Sequence, residues 1–443
     1  MEIQLSDHFT YKRLFRFVLP SVVMMVFTSI YGVVDGFFVS NFAGKSAFAA
    51  VNLVMPFIMI LGGMGFMVGT GGTAIVSKAL GEGEPEKANR YFSMMIIFTL
   101  FFGIVLAIVG ITCIRPVALF FGATEEMLPD CITYGRIVTA FTPAFMLQNV
   151  FQSFFIAAEK PRLGLRATLI AGVSNMVLDA VFVGVFGMNT AGAAIATGLS
   201  QCVGGIFPLI YFLRPNSSCL GLCKVRPEIG PILKACGNGS SELMSNISSS
   251  VVSIIYNYQL MRYIGEDGVS AYGTLMYVQF VFIAVFIGYS IGCAPIIGYN
   301  YGAQNHSELK NMLRKSIVTM GSGGVLMAIL AFVFARPLAA IFVGYDEELL
   351  KLTTHAFYLF AFSFVFAGFN IFSSAFFTAL GNGGVSAAIS FLRTMVFQTA
   401  CVLLLPVLFG VDGIWWAIGI AELCAFLISV SFIYARRTDY MYI

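Results

Sequence analysis

Apolar runs of about twenty residues or more recur along the chain, parted by short polar, glycine- or proline-bearing breaks. Their length matches helices that cross a bilayer. Twelve spans are expected, near 13–38, 48–76, 92–114, 131–158, 164–186, 190–213, 232–261, 269–297, 314–334, 352–380, 385–409 and 412–435. The connections are short except for 213–232, which carries Arg214, Pro215, Pro227 and Pro231 and marks the best internal boundary. A repeat underlies the pattern. Arg115-Pro116 recurs as Arg336-Pro337, a shift of 336 less 115, or 221. The same shift carries Gly81 to Gly302, Phe121 to Phe342, Asn149 to Asn370, Gly192 to Gly413 and Gln201 to Glu422. Two six-helix lobes, 1–221 and 222–443, are therefore expected. An even number of spans in each makes the repeat parallel, about an axis along the membrane normal, as in transporters that bind substrate between their halves.

Composition agrees. Of 443 residues 58% are hydrophobic and 11% charged, whereas soluble domains average about 25% charged. Mean hydropathy is +0.88. The reading is an all-α, multi-pass membrane protein with a retained first helix. No basic tract suggests nucleic acid. With the N-terminus inside, only Lys45, Arg115, Arg136, Arg262, Arg336 and Lys351 fall outside, leaving 19 of the 25 Lys and Arg on the inner side. Positive charge collects on the cytoplasmic side, so both termini are expected there, in the cytoplasmic (inner) membrane. The nine cysteines are scattered and the histidines number three, which argues against a zinc site. No nucleophile or metal cluster points to an enzyme.

The unusual residues are carboxylates inside apolar spans, where an ionisable group signals function. Asp179 and Asn175 are four apart and share a helix face. Asp179 lies nine residues before Met188, in the expected turn Gly187-Met188-Asn189, and Thr197 lies nine after it. In a helical hairpin the two sit at one depth, about 13 Å from the turn. Asp35, six to nine residues before a turn at Asn41–Gly44, reaches a similar depth of about 9–13 Å. Two carboxylates, an amide and a hydroxyl then meet at one level: hard oxygen ligands that suit Na⁺, while a buried carboxylate alone suits H⁺. The glycines at 62–65 and 69–72 resemble a nucleotide loop, but Gly65 and Gly69 have the small-xxx-small spacing of packed membrane helices. Gly44-Lys45-Ser46 lacks the preceding P-loop glycine, since Val39 stands there. No soluble ATPase domain is evident, so any work must draw on an ion gradient.

In the second half, Glu242 precedes a polar stripe of Ser245, Asn246, Ser249 and Ser253 and is expected to face a substrate cavity. Glu422 and Gln398 are equidistant from Gly410, and Arg393 is a counter-charge or a snorkelling residue. Asp35 maps by the repeat to Tyr256 and Asp179 to Ala400, so the carboxylates belong to one lobe only. Tyr31, Gln148, Asn149 and Asn370 complete the expected substrate cavity, which aromatic and methionine side chains would suit to flat lipophilic cations.

The chain resembles the multidrug and toxic compound extrusion (MATE) transporters. The resemblance rests on Tyr31-Gly32-Val33-Val34-Asp35-Gly36-Phe37-Phe38-Val39, on Gly81-Glu82-Gly83 with Lys87, and on Pro295-Ile296-Ile297-Gly298-Tyr299-Asn300-Tyr301-Gly302-Ala303. It implies a V-shaped pair of lobes exporting organic cations in exchange for Na⁺ or H⁺. The first-lobe cation site of the family looks like Asp35, Asn175, Asp179 and Thr197, and Glu242 looks like an acidic residue some members use. The chain departs from members with a second-lobe Na⁺ site, since its tenth span offers Asn370 and no aspartate. The expectation is a cofactor-free monomeric antiporter, handling a small-molecule substrate among membrane lipid. The alternative is a lipid-linked precursor flippase, which would call for a basic groove.

Overall fold

Within a bilayer every backbone N–H and C=O must find its partner inside the protein, which leaves helices as the solution for a chain of apolar runs. The computed structural model describes residues 3–43 and 45–442, and among them there is no strand. The helices are α1 (Tyr11–Phe38), α2 (Lys45–Gly81), α3 (Pro85–Phe120), α4 (Leu128–Ala140), α5 (Thr142–Ala157), α6 (Pro161–Asp179) and α7 (Asn189–Leu213) in the first lobe. The second lobe holds α8 (Ile229–Tyr263), α9 (Glu266–Gly302), α10 (His306–Val333), α11 (Ala335–Val343), α12 (Glu347–Phe360), α13 (Ser363–Ala379), α14 (Gly383–Phe391), α15 (Gln398–Phe409), α16 (Val411–Ala435) and the short α17 (Arg437–Tyr440). Among the described residues nine helices are long and apolar enough to cross a membrane, and α12 with α13 makes a tenth, bent by 51°. The other two of the twelve spans are α4 with α5, interrupted at Phe141, and α8, whose serines and asparagines lower its hydropathy.

Several helices outrun the apolar stretches that announce them. α3 begins seven residues before its expected start because Pro85 occupies its first position and Glu86 its first turn, both favourable at a helix N-terminus. α10 starts at His306 because the Asn305 side chain accepts from the Glu308 N–H at 3.1 Å. The turn expected at Gly187-Met188-Asn189 is present: Gly187 (φ 62°) and Asn189 (φ 48°) take left-handed backbone, which these two residue types tolerate best. Of the turn expected at Asn41–Gly44, Asn41 belongs to a π-helical segment, Val39–Ala43, and Gly44 lies outside the described residues. Two more π-helical segments occur, Ala180–Val185 after α6 and Leu392–Phe397 after α14.

The repeat is visible as geometry. The interruption at Phe141 between α4 and α5 recurs 221 residues on, at Phe362 between α12 and α13. Pro143 explains the first break, because it withholds a helical N–H; the second occurs with no proline. The shared feature is a ring on a glycine. A methyl group on Gly198 would lie 2.1 Å from the Phe141 ring, and one on Gly419, 221 further on, 3.1 Å from the Phe362 ring.

The lobes meet where both chain termini lie. There α2 and α9 cross at glycines: a methyl on Gly81 would sit 1.9 Å from the Tyr299 carbonyl oxygen, and one on Gly302 would sit 2.1 Å from that of Lys78. Deeper, Gly71 of α2 meets the Ala235 carbonyl and Gly239 of α8, and the repeat-related pair is Gly292 of α9 against Val18 of α1. Between membrane helices close approach and dispersion, rather than water exclusion, supply the attraction. Gly65 and Gly69 pack within the first lobe, against Met146 and Ser153 of α5. The glycine run in α2 is thus a packing face on two sides. At the other terminus Tyr440 packs on Tyr301 with ring centroids 5.6 Å apart, and the Lys78 ammonium lies 5.0 Å from the Tyr301 centroid.

Candidate functional site

Asp35 enters the site from α1, four residues before a π-helical segment; Asp179 is the last residue of α6, directly before another. Such widened turns re-aim side chains and recur at functional places. Asn175 stands one turn before Asp179, and Thr197 comes from α7 across the Gly187 turn. Asp179 and Asn175 are fully buried, and Asp35 is nearly so. The Asp35 carboxyl faces Asp179, Thr197 and Asn175, so the structure brings together the four residues that depth alone selected.

A fifth residue belongs with them. Tyr134 of α4 is completely buried, and its hydroxyl faces Thr197 with both carboxylates close by. Among the described residues seven buried polar atoms in this patch have no hydrogen-bond partner: Asp35 Oδ1, Asn175 Oδ1 and Nδ2, Asp179 Oδ1 and Oδ2, Thr197 Oγ1 and the Tyr134 hydroxyl. Leaving a buried polar group unpaired costs about 1–3 kcal/mol, and two facing carboxylates in a low-dielectric interior demand a positive charge between or upon them. Carboxylate, amide and hydroxyl oxygens fit a small hard cation or a shared proton. Tyr134 escaped the sequence reading because a tyrosine in an apolar span looks like an interfacial aromatic. Counted from Met127, where the turn ahead of α4 ends, Tyr134 lies seven residues in, about 10 Å, the depth of Asp35.

Next to the patch, Tyr31 lies one turn from Asp35 on α1 and reaches Gln148 of α5. Asn149 is turned away: its amide donates to the Gly62 carbonyl at 3.1 Å and ties α5 to α2. At the positions 221 residues on from Asp35, Asn175, Asp179 and Thr197 stand Tyr256, Val396, Ala400 and Ile418. Tyr256 is buried and stacks on Tyr272 with centroids 4.9 Å apart. An aromatic pair thus occupies the place of the carboxylates in the second lobe.

The charges of the second lobe gather elsewhere. Arg393 grips the buried Glu422, with Nε donating at 2.8 and 3.0 Å and a terminal nitrogen 2.8 Å from Oε1. Asn370 donates to the Glu422 carboxylate at 2.7 Å and to its carbonyl at 2.9 Å. Arg393 is therefore a counter-charge, and Glu422 turns to it and to Asn370, not to Gln398. The Arg393 charge also acts on the half-buried Glu242 of α8, with which it makes no ion pair among the described residues. Asn246, one turn beyond Glu242, donates to the Glu242 carbonyl at 2.9 Å and lies against Gly63 of α2, where the lobes meet.

The family model MatE matches twice, over residues 20–181 and 242–403. The two starts are 222 apart, one residue from the spacing of the glycine crossings. Multidrug export protein MepA of Staphylococcus saprophyticus is 25% identical over 435 residues, covering 96% of this chain and 94% of that one. MepA of Staphylococcus aureus strain MRSA252 is 24% identical over 432 residues, with the same coverage. Among solved structures, a MATE protein in complex with MaL6 aligns at TM-score 0.91 with 22% identity, covering 97% of this chain and 96% of that one. A multidrug resistance MATE family transporter in an outward-facing conformation aligns at TM-score 0.91 with 22% identity and the same coverage. The all-helical, two-lobed fold is thus that of MATE transporters. With its two MatE matches spanning most of its length, the chain belongs to the MatE family of multidrug efflux transporters, which are membrane carriers and not enzymes.

Proposed function

We propose that this transporter is a secondary active exporter of organic, lipophilic cationic compounds, driven by Na⁺ or H⁺ moving inward. The coupling cation binds Asp35, Asn175, Asp179 and Thr197, with Tyr134 as a neighbouring hydroxyl. The supporting observation is the set of seven unpartnered buried polar atoms around two facing carboxylates. A cation or proton there supplies the missing charge and hydrogen bonding. Substrate is taken between the lobes, where Tyr31, Gln148 and Glu242 offer an aromatic ring, an amide and a carboxylate; Asn149 and Asn370 support the helices behind them. Ion and compound need not touch. Coupling requires only that each bind the two access states with different affinity.

The protein sits in the inner membrane with both termini cytoplasmic, as the distribution of Lys and Arg favours, and works as a monomer whose lobes divide near residues 221 and 222. A flippase for lipid-linked precursors has less support, because Arg393 is bound to Glu422 instead of lining a basic groove. The test is efflux of a lipophilic cationic dye from vesicles containing the purified protein, under an Na⁺ gradient and a pH gradient imposed separately. The expected result is transport driven by one gradient and lost in Asp35→Asn. Transport that persists in Asp35→Asn and Asp179→Asn would overturn the site assignment.

A further inference from the structure

The segment ahead of α1 does not trail into solvent. Leu5 and Phe9 are fully buried, and the Leu5 N–H donates to Glu159, in the loop between α5 and α6 of the first lobe, at 2.7 Å. Four residues on, the same segment is held by the second lobe. The Phe9 N–H donates to Glu308 of α10 at 2.9 Å, and His8 Nδ1 lies 2.6 Å from the other Glu308 oxygen. Asn311 donates to the Phe9 carbonyl at 3.1 Å, and Lys315 donates to the same carbonyl. Glu308 is itself buried, and Asn311 donates to it at 2.8 Å. Most of what satisfies this carboxylate belongs to the segment.

The repeat supplies a counterpart. The residue ahead of α8 is Glu228, and it is held by α3 of the first lobe. Its carboxylate pairs with Arg90 at 3.0 Å and its N–H lies 3.4 Å from the Met94 sulfur. Arg90 and Met94 are the positions 221 before Asn311 and Lys315. The linker leading to Glu228 is fastened to α3 as well, through the Gly221 N–H on Asn89 at 2.9 Å and the Cys223 N–H on Ser93 at 2.9 Å. Each lobe's leading helix is thus anchored on the opposite lobe, at equivalent positions of α10 and α3. Both anchors lie on the face where Gly81 and Gly302 cross.

We propose that these two anchors form a reciprocal clasp that holds the terminal face shut and must release before that face can open. Parting the lobes there draws α1 away from α10 and α8 away from α3, so the clasp's hydrogen bonds and ion pair break together. The closed state is stabilised by contacts that the open state lacks, which is what a two-state gate requires.

Ser77 is fully buried on α2, where Gly298 of α9 comes against it, and reports on this seam. The experiment replaces the nine native cysteines with alanine or serine and places Ser77→Cys as the one thiol. A membrane-impermeant maleimide is then applied from each side of oriented vesicles. One variant pair is Glu308→Ala with Asn311→Ala; the other is Arg90→Ala with Ser93→Ala. Each is expected to raise labelling from the terminal face about tenfold, as a loss of about 1.4 kcal/mol of closure would, with labelling from the other face unchanged. Labelling at the parent rate in both folded, monodisperse variants would overturn the clasp. If a variant fails to fold, the deciding arm joins His8→Cys to Asn311→Cys with a short, cleavable bifunctional maleimide. Transport should then stop and return on cleavage; transport at the uncross-linked rate refutes the proposal. Labelling reads the gate whatever ion or compound is carried, so its failure is separate from that of the proposed exchange.

Discussion

Asp35 and Asp179 face each other across the junction of α1 and α6, and among the described residues both oxygens of Asp179 are without a hydrogen-bond partner. Two like charges in contact there would repel by several kcal/mol at protein-interior dielectric, so neutralising either one should leave the fold intact. Asp35→Asn and Asp179→Asn are expected to abolish gradient-driven dye efflux. Their thermal unfolding midpoints in detergent should be equal to or above that of the parent. A fall of many degrees in both would mean that the pair is structural.

Tyr134 gives a graded test of the same site. Removing one neutral ligand from a set of several costs about 1 kcal/mol. In Tyr134→Phe the half-saturating concentration of the driving cation should therefore rise about fivefold, with the maximal rate nearly kept. Thr197→Ala should behave alike, and the double substitution should be less than additive because the hydroxyls face one another. An unchanged half-saturation in Tyr134→Phe would remove the hydroxyl from the site.

The Arg393–Glu422 pair calls for the opposite signature. Taking one partner from a buried pair strands the other charge and costs about 3–5 kcal/mol, whereas replacing both with apolar groups is often neutral. Arg393→Leu and Glu422→Leu should each lower the unfolding midpoint sharply, and the double variant should recover most of the loss. Recovery of stability without recovery of efflux would give the pair a part in transport beyond packing.

The glycine crossing predicts a steric penalty. Gly81→Ala puts a methyl 1.9 Å from a backbone carbonyl that cannot swing aside. It should cost about 1–3 kcal/mol of stability, as overpacking does elsewhere, and speed maleimide labelling of Ser77→Cys from the terminal face. Gly302→Ala should match it, because the repeat exchanges the two contacts. Unequal effects would show that the lobes do not share the seam evenly.

Much of this was legible in the sequence because membrane helices obey few rules. Run length gave the spans, and a single shift relating Arg115-Pro116 to Arg336-Pro337 gave the lobes. Depth counted from turns brought Asp35, Asn175, Asp179 and Thr197 to one level. The break at Phe362 was hidden, since no proline marks it and the ring that packs on Gly419 there meets a residue far away in sequence. The same holds for the clasp. Residues 5–9 lie ahead of the first apolar run and carry no pattern of their own, and only tertiary structure brings the Phe9 N–H and the His8 ring to Glu308 and the Leu5 N–H to Glu159. Arg393 could not be assigned between counter-charge and snorkelling until α16 was seen to bring Glu422 against it.

The crossing of Gly81 and Gly302 also bears on how the molecule is put together. A contact that the internal shift maps onto itself is self-complementary, the kind of surface that two copies of one chain share about a two-fold axis. Each six-span half begins and ends on the same side of the membrane and carries its own half of that surface. The segment from Arg214 to Glu228 then acts as a tether. It converts a bimolecular encounter into an intramolecular one, at effective concentrations of about the millimolar range for short linkers. A seam that opens, as the proposed clasp requires, need not therefore cost the molecule the association of its halves.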